Sequence, residues 1–146
     1  MNLPRIASAA VAATVVDVVY GFCVYGLLLA PAFSAYPAVY RSEETGPAYL
    51  PMMFAGILIA MAVATIIYAK GYEGGSGVSE GARFGVLLGV FVVGAFAGVN
   101  YAVLNIGRRL ALYVAAAAFV EWMIAGIVIG LVYKGEAGTA GKRAAV

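Results

Sequence analysis

Histidine is absent from this chain, and cysteine occurs once, at Cys23. The absence of histidine excludes the usual axial ligand of haem iron and the commonest ligand of zinc. A single cysteine excludes a disulfide within the chain. Because Cys23 lies in an apolar run, we expect it to be a small buried hydrophobic side chain. The sequence predicts no cofactor.

Charged residues are also scarce. They make up 11% of the 146 residues, against about 25% in soluble domains, while 64% of the residues are hydrophobic. A soluble protein of this size leaves much of its surface in water and could not hide so much apolar area. The net charge of +2 is too small and too dispersed for nucleic-acid binding. These shortages predict an integral membrane protein with membrane lipid, and no nucleic acid, as its partner.

Four long apolar runs are present, over residues 8–30, 49–69, 84–106 and 110–133. A transmembrane helix needs about 20 mostly apolar residues, which each run supplies. The runs do not alternate polar and apolar residues, as the strands of outer-membrane barrels do. The sequence therefore predicts an all-α protein, a four-helix transmembrane bundle that forms a single domain over residues 1–146.

The first run has some features of a cleaved signal peptide, since Arg5 precedes it and small residues end it. Its apolar stretch exceeds the usual 7–15 residues and Asp17 interrupts it, so we expect a retained helix. Four spans place both termini on one side of the membrane. By the positive-inside rule the termini are predicted to be cytoplasmic, because six of the nine Lys and Arg residues fall on that side, namely Arg5, Lys70, Arg83, Lys134, Lys142 and Arg143.

The segment between the second and third runs reads Lys70-Gly71-Tyr72-Glu73-Gly74-Gly75 and leads to Arg83-Phe84-Gly85. Its glycines are not followed by Lys-Ser or Lys-Thr, so the segment is not a P-loop. We expect a plain turn, with Ser79 capping the third helix. Together with Tyr25-Gly26, the segment resembles small bacterial four-helix inner-membrane proteins of unknown function. The resemblance implies a multi-pass protein of the bacterial inner (plasma) membrane, and it implies no activity.

Two carboxyl groups interrupt the apolar runs. Asp17 and Glu121 each fall within about one helical turn, roughly 5 Å, of the mid-plane of the first and fourth spans. A charge at that depth costs several kcal/mol and usually faces the bundle interior. No Lys or Arg lies at the same depth, so desolvation and mutual repulsion both favour the neutral acid. We expect the two acids to meet inside the bundle, with at least one protonated at neutral pH when the site is empty.

Four further polar residues are predicted to join this ligand-binding or ion-binding site: Tyr20, Tyr25, Asn100 and Tyr101. The alternative is that the acids only hold helices together through hydrogen bonds, which average about 0.6 kcal/mol in membrane bundles. Gly126 and Gly130 have the spacing of a close helix contact. That contact would be made either with a second copy of the chain or within one bundle.

Three classes of function fit these features to different degrees. The first is binding or transport of a proton, a cation or a small amphipathic molecule through the acid pair. Because four short helices leave little room for a pathway, transport implies a homodimer. The second is a non-catalytic accessory or assembly subunit, or a lipid-binding helper, of a larger membrane complex. An enzyme is not predicted, since the sequence has no nucleophile–base pair and no metal cluster.

Overall fold

The computed structural model describes residues 2–42 and 44–133. Three of the basic residues that predicted the orientation of the termini, Lys134, Lys142 and Arg143, lie outside the described residues. The described part is helical, and it contains no β-strand. The all-α prediction is confirmed for this part of the chain.

The described residues form six α-helices, two π-helical segments and one 3₁₀-helix. The α-helices are α1 (Leu3–Gly21), α2 (Ala30–Ser34), α3 (Leu50–Lys70), α4 (Gly77–Val92), α5 (Val99–Val103) and α6 (Arg108–Val132). The first π segment, Phe22–Leu28, continues α1, the second, Val93–Gly98, joins α4 to α5, and the 3₁₀-helix, Gly46–Tyr49, leads into α3. Four continuous helices result that are long and apolar enough to cross a membrane: Leu3–Leu28, Gly46–Lys70, Gly77–Val103 and Arg108–Val132.

Each long helix begins before its predicted apolar run, and the difference is largest in the third. It begins at Gly77 rather than near Phe84, and the residue that precedes it is Ser76, not the predicted Ser79. The reason is that apolarity marks which residues can lie in lipid, while backbone hydrogen bonding continues into polar flanking sequence. Glu80 does lie in the first turn of α4, where a carboxylate suits the positive end of the helix.

A row of glycines lets α4 and α6 touch through their backbones. Gly77, Gly81, Gly85 and Gly89 repeat every four residues and therefore share one face of α4. A Cβ atom on Gly81 would collide with the carbonyl oxygen of Gly126, and one on Gly126 would lie 2.5 Å from the Cα of Gly85. Gly126 and Gly130 are thus used within the chain, which is the second of the two predicted alternatives.

The buried core lies at one end of the molecule, which we call the closed end. It is built where α1 begins and where α3 and α6 finish, from Ile6, Ala9, Ala13, Met61, Ala64, Tyr68, Ala125, Ile129 and Tyr133. Small side chains on α1 and larger ones on α3 interdigitate there. The helices are therefore packed most tightly at the end where α1 begins and α6 finishes.

Polar contacts fasten the turn between α3 and α4 to this core. The backbone N–H of Gly75 donates a hydrogen bond to Oε1 of Glu80 (2.6 Å), and the hydroxyl of Tyr68 donates one to Oε2 (3.3 Å). The Tyr68 ring also meets the edge of Tyr133, with centroids 5.9 Å apart. These contacts hold the turn against the aromatic rings of the closed end.

The opposite end, which we call the open end, is loosely packed. Within the described residues, neither π segment contains a buried residue, and neither does α5. Cys23 lies in the first π segment and is exposed, so the predicted burial of this thiol is wrong. An apolar run does not tell which of its side chains face other helices, and Cys23 lies on the outer face.

Candidate functional site

A cavity of about 920 Å³ lies between α1 with its π continuation, the first half of α3, and α6. It occupies the region where the helices separate from the closed end towards the open end. Asp17 contributes from α1 and Glu121 from α6, and no Lys or Arg is among the described residues that line it. Most of the wall is apolar, with Val18, Phe22, Phe33, Met53, Phe54, Ile57, Met61 and Trp122 among the lining side chains. The two acids of the long apolar helices therefore share one cavity.

Alanines bring the two acids to this place. On α1 the residues buried before Asp17 include Ala10 and Ala13, and on α6 those near Glu121 include Ala117 and Ala118. Side chains this small let two helices approach closely. Asp17 itself is only 7% exposed, and its carboxyl has no hydrogen-bonding partner among the described residues. This carboxyl is left available to a ligand.

Glu121 differs from Asp17 because it already has a partner. The Tyr25 hydroxyl donates a hydrogen bond to its Oε2 atom at 2.9 Å. The neighbouring Tyr20 hydroxyl donates to the carbonyl oxygen of Ala117, also at 2.9 Å, and the two tyrosine rings meet edge to face with centroids 6.3 Å apart. Two tyrosines of the first long helix thus hold α6 beside it.

The first π segment sets the position of Tyr25. Its wider turns are visible where the N–H of Leu29 donates to the carbonyl oxygen of Val24, five residues earlier, at 2.8 Å. Single π turns within α-helices occur frequently at functional sites. Here the wider turn lies one helical turn beyond Asp17, so that both side chains reach the same cavity.

Tyr25→Phe is expected to lower the free energy of unfolding by about 0.6 kcal/mol, the average for a hydrogen bond in a membrane bundle, because it removes the donor to Glu121. The infrared carbonyl band of the Glu121 carboxyl should shift at the same time. Thermal unfolding in detergent measures the first effect. Tyr101→Phe is the control, since Tyr101 is 47% exposed, and an equal loss in both variants would contradict this role.

The structure brings together only part of the predicted site. Asp17, Glu121 and Tyr25 line the cavity, and Tyr20 packs next to it. Asn100 and Tyr101 are exposed on α5 and do not line it. The reason is that α4 packs on the face of α6 that carries Gly126 and Gly130, which lies away from Glu121. The glycine contacts also end before α5 begins.

The apolar wall was not identified from the sequence. Met53 and Phe54 belong to a uniformly hydrophobic run that carries no signal of which side faces the cavity. Phe33 comes from α2, in the segment after the first long helix, and its ring lies 6.5 Å from that of Tyr25. No pattern in the sequence predicts that contact.

The donor set decides what the site can hold. Among the described residues no three His, Cys, Asp or Glu side chains lie together as metal ligands would. Two carboxyls and one phenol within an apolar wall instead suit protons or a positively charged organic group.

Comparison of the chain with protein families, curated proteins and solved structures finds no match. The resemblance to small inner-membrane proteins stays a prediction, and function is argued from this site.

Proposed function

We propose that this chain is a multi-pass protein of the bacterial inner membrane, with cytoplasmic termini, that binds a cation in exchange for protons at Asp17 and Glu121 as part of transport. The observation that carries the proposal is that both carboxyls line one cavity whose described wall contains no basic residue. The four long apolar helices support membrane insertion.

Exchange follows from the cost of charge inside a membrane. An ionised carboxylate without a counter-ion is expensive at this depth, so protons neutralise the empty site. An entering cation can replace a proton, because the net charge of the site then stays the same. Asp17, which has no hydrogen-bonding partner among the described residues, is the carboxyl most available to the cation, and Tyr25 stabilises Glu121.

The packing supports a two-part arrangement for transport. The glycine contacts join α4 and α6 into one unit, while α3 packs mainly on α1. The acid pair lies where α1 and α6 meet, and α1 packs on α6 as extensively as on α3. The proposal is that transport moves α4 and α6 together relative to α1 and α3 along this contact. Because four helices offer little room for a complete pathway, the proposal includes a pair of chains.

Proton release tests this proposal directly. Purified protein in a weakly buffered detergent solution is mixed with sodium chloride, potassium chloride or tetraphenylphosphonium chloride, and the pH is followed with an indicator dye. We expect at least one salt to release about one proton per bound cation, by the charge balance above. The double variant Asp17→Asn/Glu121→Gln should release none, while Glu73→Gln, whose side chain is 74% exposed, should behave as the original chain. The proposal would be overturned if none of the three salts changed the pH, or if the double variant released as many protons as the original chain.

A further inference from the structure

We infer that the ligand of this cavity is a lipophilic organic cation, that is, a positively charged centre carried on an apolar, ring-bearing body. The inference rests on the proposed function and names its ligand class. Its grounds are the size of the cavity, the chemistry of its wall and the side from which it is reached.

The cavity is too large and too poor in oxygen for an inorganic ion. Its volume of about 920 Å³ falls within the range of roughly 300–1,000 Å³ that is usual for small-molecule pockets. A hard cation such as Ca²⁺ takes about six to eight oxygen ligands at short distance. The side-chain oxygens of the described wall come from Asp17, Glu121 and Tyr25. An ion with no organic body would leave most of the cavity unfilled.

Aromatic rings line the cavity that holds the acid pair. Phe22, Phe33, Phe54 and Trp122 line the same cavity as the two carboxyls. The faces of such rings attract cations, most strongly where water is excluded. Tyr25 links the two kinds of group, because its hydroxyl donates to Glu121 while its ring lies near Phe33. A cation with an apolar body would satisfy both parts of the wall, whereas a neutral body would leave the carboxyls without a charged partner.

The access route favours a ligand that dissolves in lipid. Leu50 and Phe54, at the α3 side of the cavity, are 41% and 42% exposed, and in the membrane they face the acyl chains. The closed end is sealed by Tyr68, Tyr133 and Glu80. The cavity therefore has a lateral opening between the first long helix and α3, in addition to its side towards the open end. A strongly hydrated ion would not take that path, since it would have to shed its water in hydrocarbon.

Trp122 provides the reporter for a test, because it is the chain's one tryptophan and lines the cavity. Its fluorescence is followed in lipid nanodiscs during titration with tetraphenylphosphonium, with the neutral isostere tetraphenylsilane, and with tetramethylammonium, which has the charge without the rings. We expect a saturable change with tetraphenylphosphonium and at least about 30-fold weaker binding of the other two. Equal binding of the neutral isostere would overturn the inference.

A protein variant tests the wall independently. Phe33→Leu should weaken tetraphenylphosphonium binding by about 3- to 30-fold, the range of one cation–π contact, while Phe91→Leu, whose ring is 63% exposed on α4, should leave it unchanged. Unchanged affinity in Phe33→Leu would count against the aromatic wall. If sodium or potassium releases protons but tetraphenylphosphonium produces no saturable signal, this inference fails while the proposed function stands. If no salt releases protons, both fail.

Discussion

Gly81→Ala is expected to lower the free energy of unfolding by about 1–3 kcal/mol, the usual cost of forcing an extra carbon into a packed interior. The added Cβ would collide with the carbonyl oxygen of Gly126 and lie 3.0 Å from the Cα of Ile127. Both are backbone atoms, which cannot rotate away as a side chain can. The third and fourth long helices would have to separate, and they would lose contacts along their shared face.

Two glycines with open surroundings provide matched controls. Gly56 on α3 and Gly94 in the second π segment have no atom within 4 Å of an added Cβ. Alanine at either position should raise the free energy of unfolding by about 0.4–1 kcal/mol, because it fits the helical backbone and reduces the entropy of the unfolded chain. Thermal unfolding in detergent, followed by circular dichroism, measures all three variants. If Gly81→Ala has the same thermal midpoint as the two controls, the backbone contact does not hold α4 to α6.

Asp17→Asn and Glu121→Gln are each expected to weaken cation binding by at least about 30-fold. Removing one partner of a buried charge interaction costs about 2–5 kcal/mol, and about 1.4 kcal/mol corresponds to a factor of ten. Both replacements keep the shape of the side chain, so packing should survive. In Glu121→Gln an amide oxygen can still accept the Tyr25 hydrogen bond. Titration of tetraphenylphosphonium against Trp122 fluorescence gives the affinities.

The same two variants separate a binding role from a purely structural one. If the acids only hold helices together, their replacement would lower the thermal midpoint and leave cation affinity nearly unchanged. If they bind the ligand, affinity falls while the midpoint of the empty protein stays within a few degrees. Glu73→Gln makes the same chemical change at an exposed acid outside the cavity. It should alter neither quantity.

Much of the helical architecture was predictable from the length and apolarity of the four runs. Backbone groups in hydrocarbon must bond within their own segment, so long apolar runs become helices. The depth of Asp17 and Glu121 followed from counting residues along those helices. Their common cavity was expected because membrane-embedded acids face the protein interior, and the alanines near them marked the closely packed faces.

Other features depended on contacts between distant parts of the chain. The four-residue spacing of Gly77, Gly81, Gly85 and Gly89 was visible in the sequence, but its partner on α6 was not. Asn100 was predicted to join the acids, but its helix packs on the face of α6 that carries Gly126 and Gly130, away from Glu121. In a uniformly apolar helix, hydrophobicity does not distinguish the face that meets a neighbour from the face that meets lipid.

The sequence by itself determined the four apolar helices, their approximate bounds and the positions of the two carboxyls along them, since each follows from local composition and the rise of a helix. Only the tertiary structure decided that α4 packs on α6 through glycines, that Tyr25 bonds to Glu121, and that aromatic side chains from α2, α3 and α6 line the cavity of the acid pair. The physical reason is that close packing depends on the shapes of both surfaces in contact. The sequence of one helix does not show which surface of another helix it will meet.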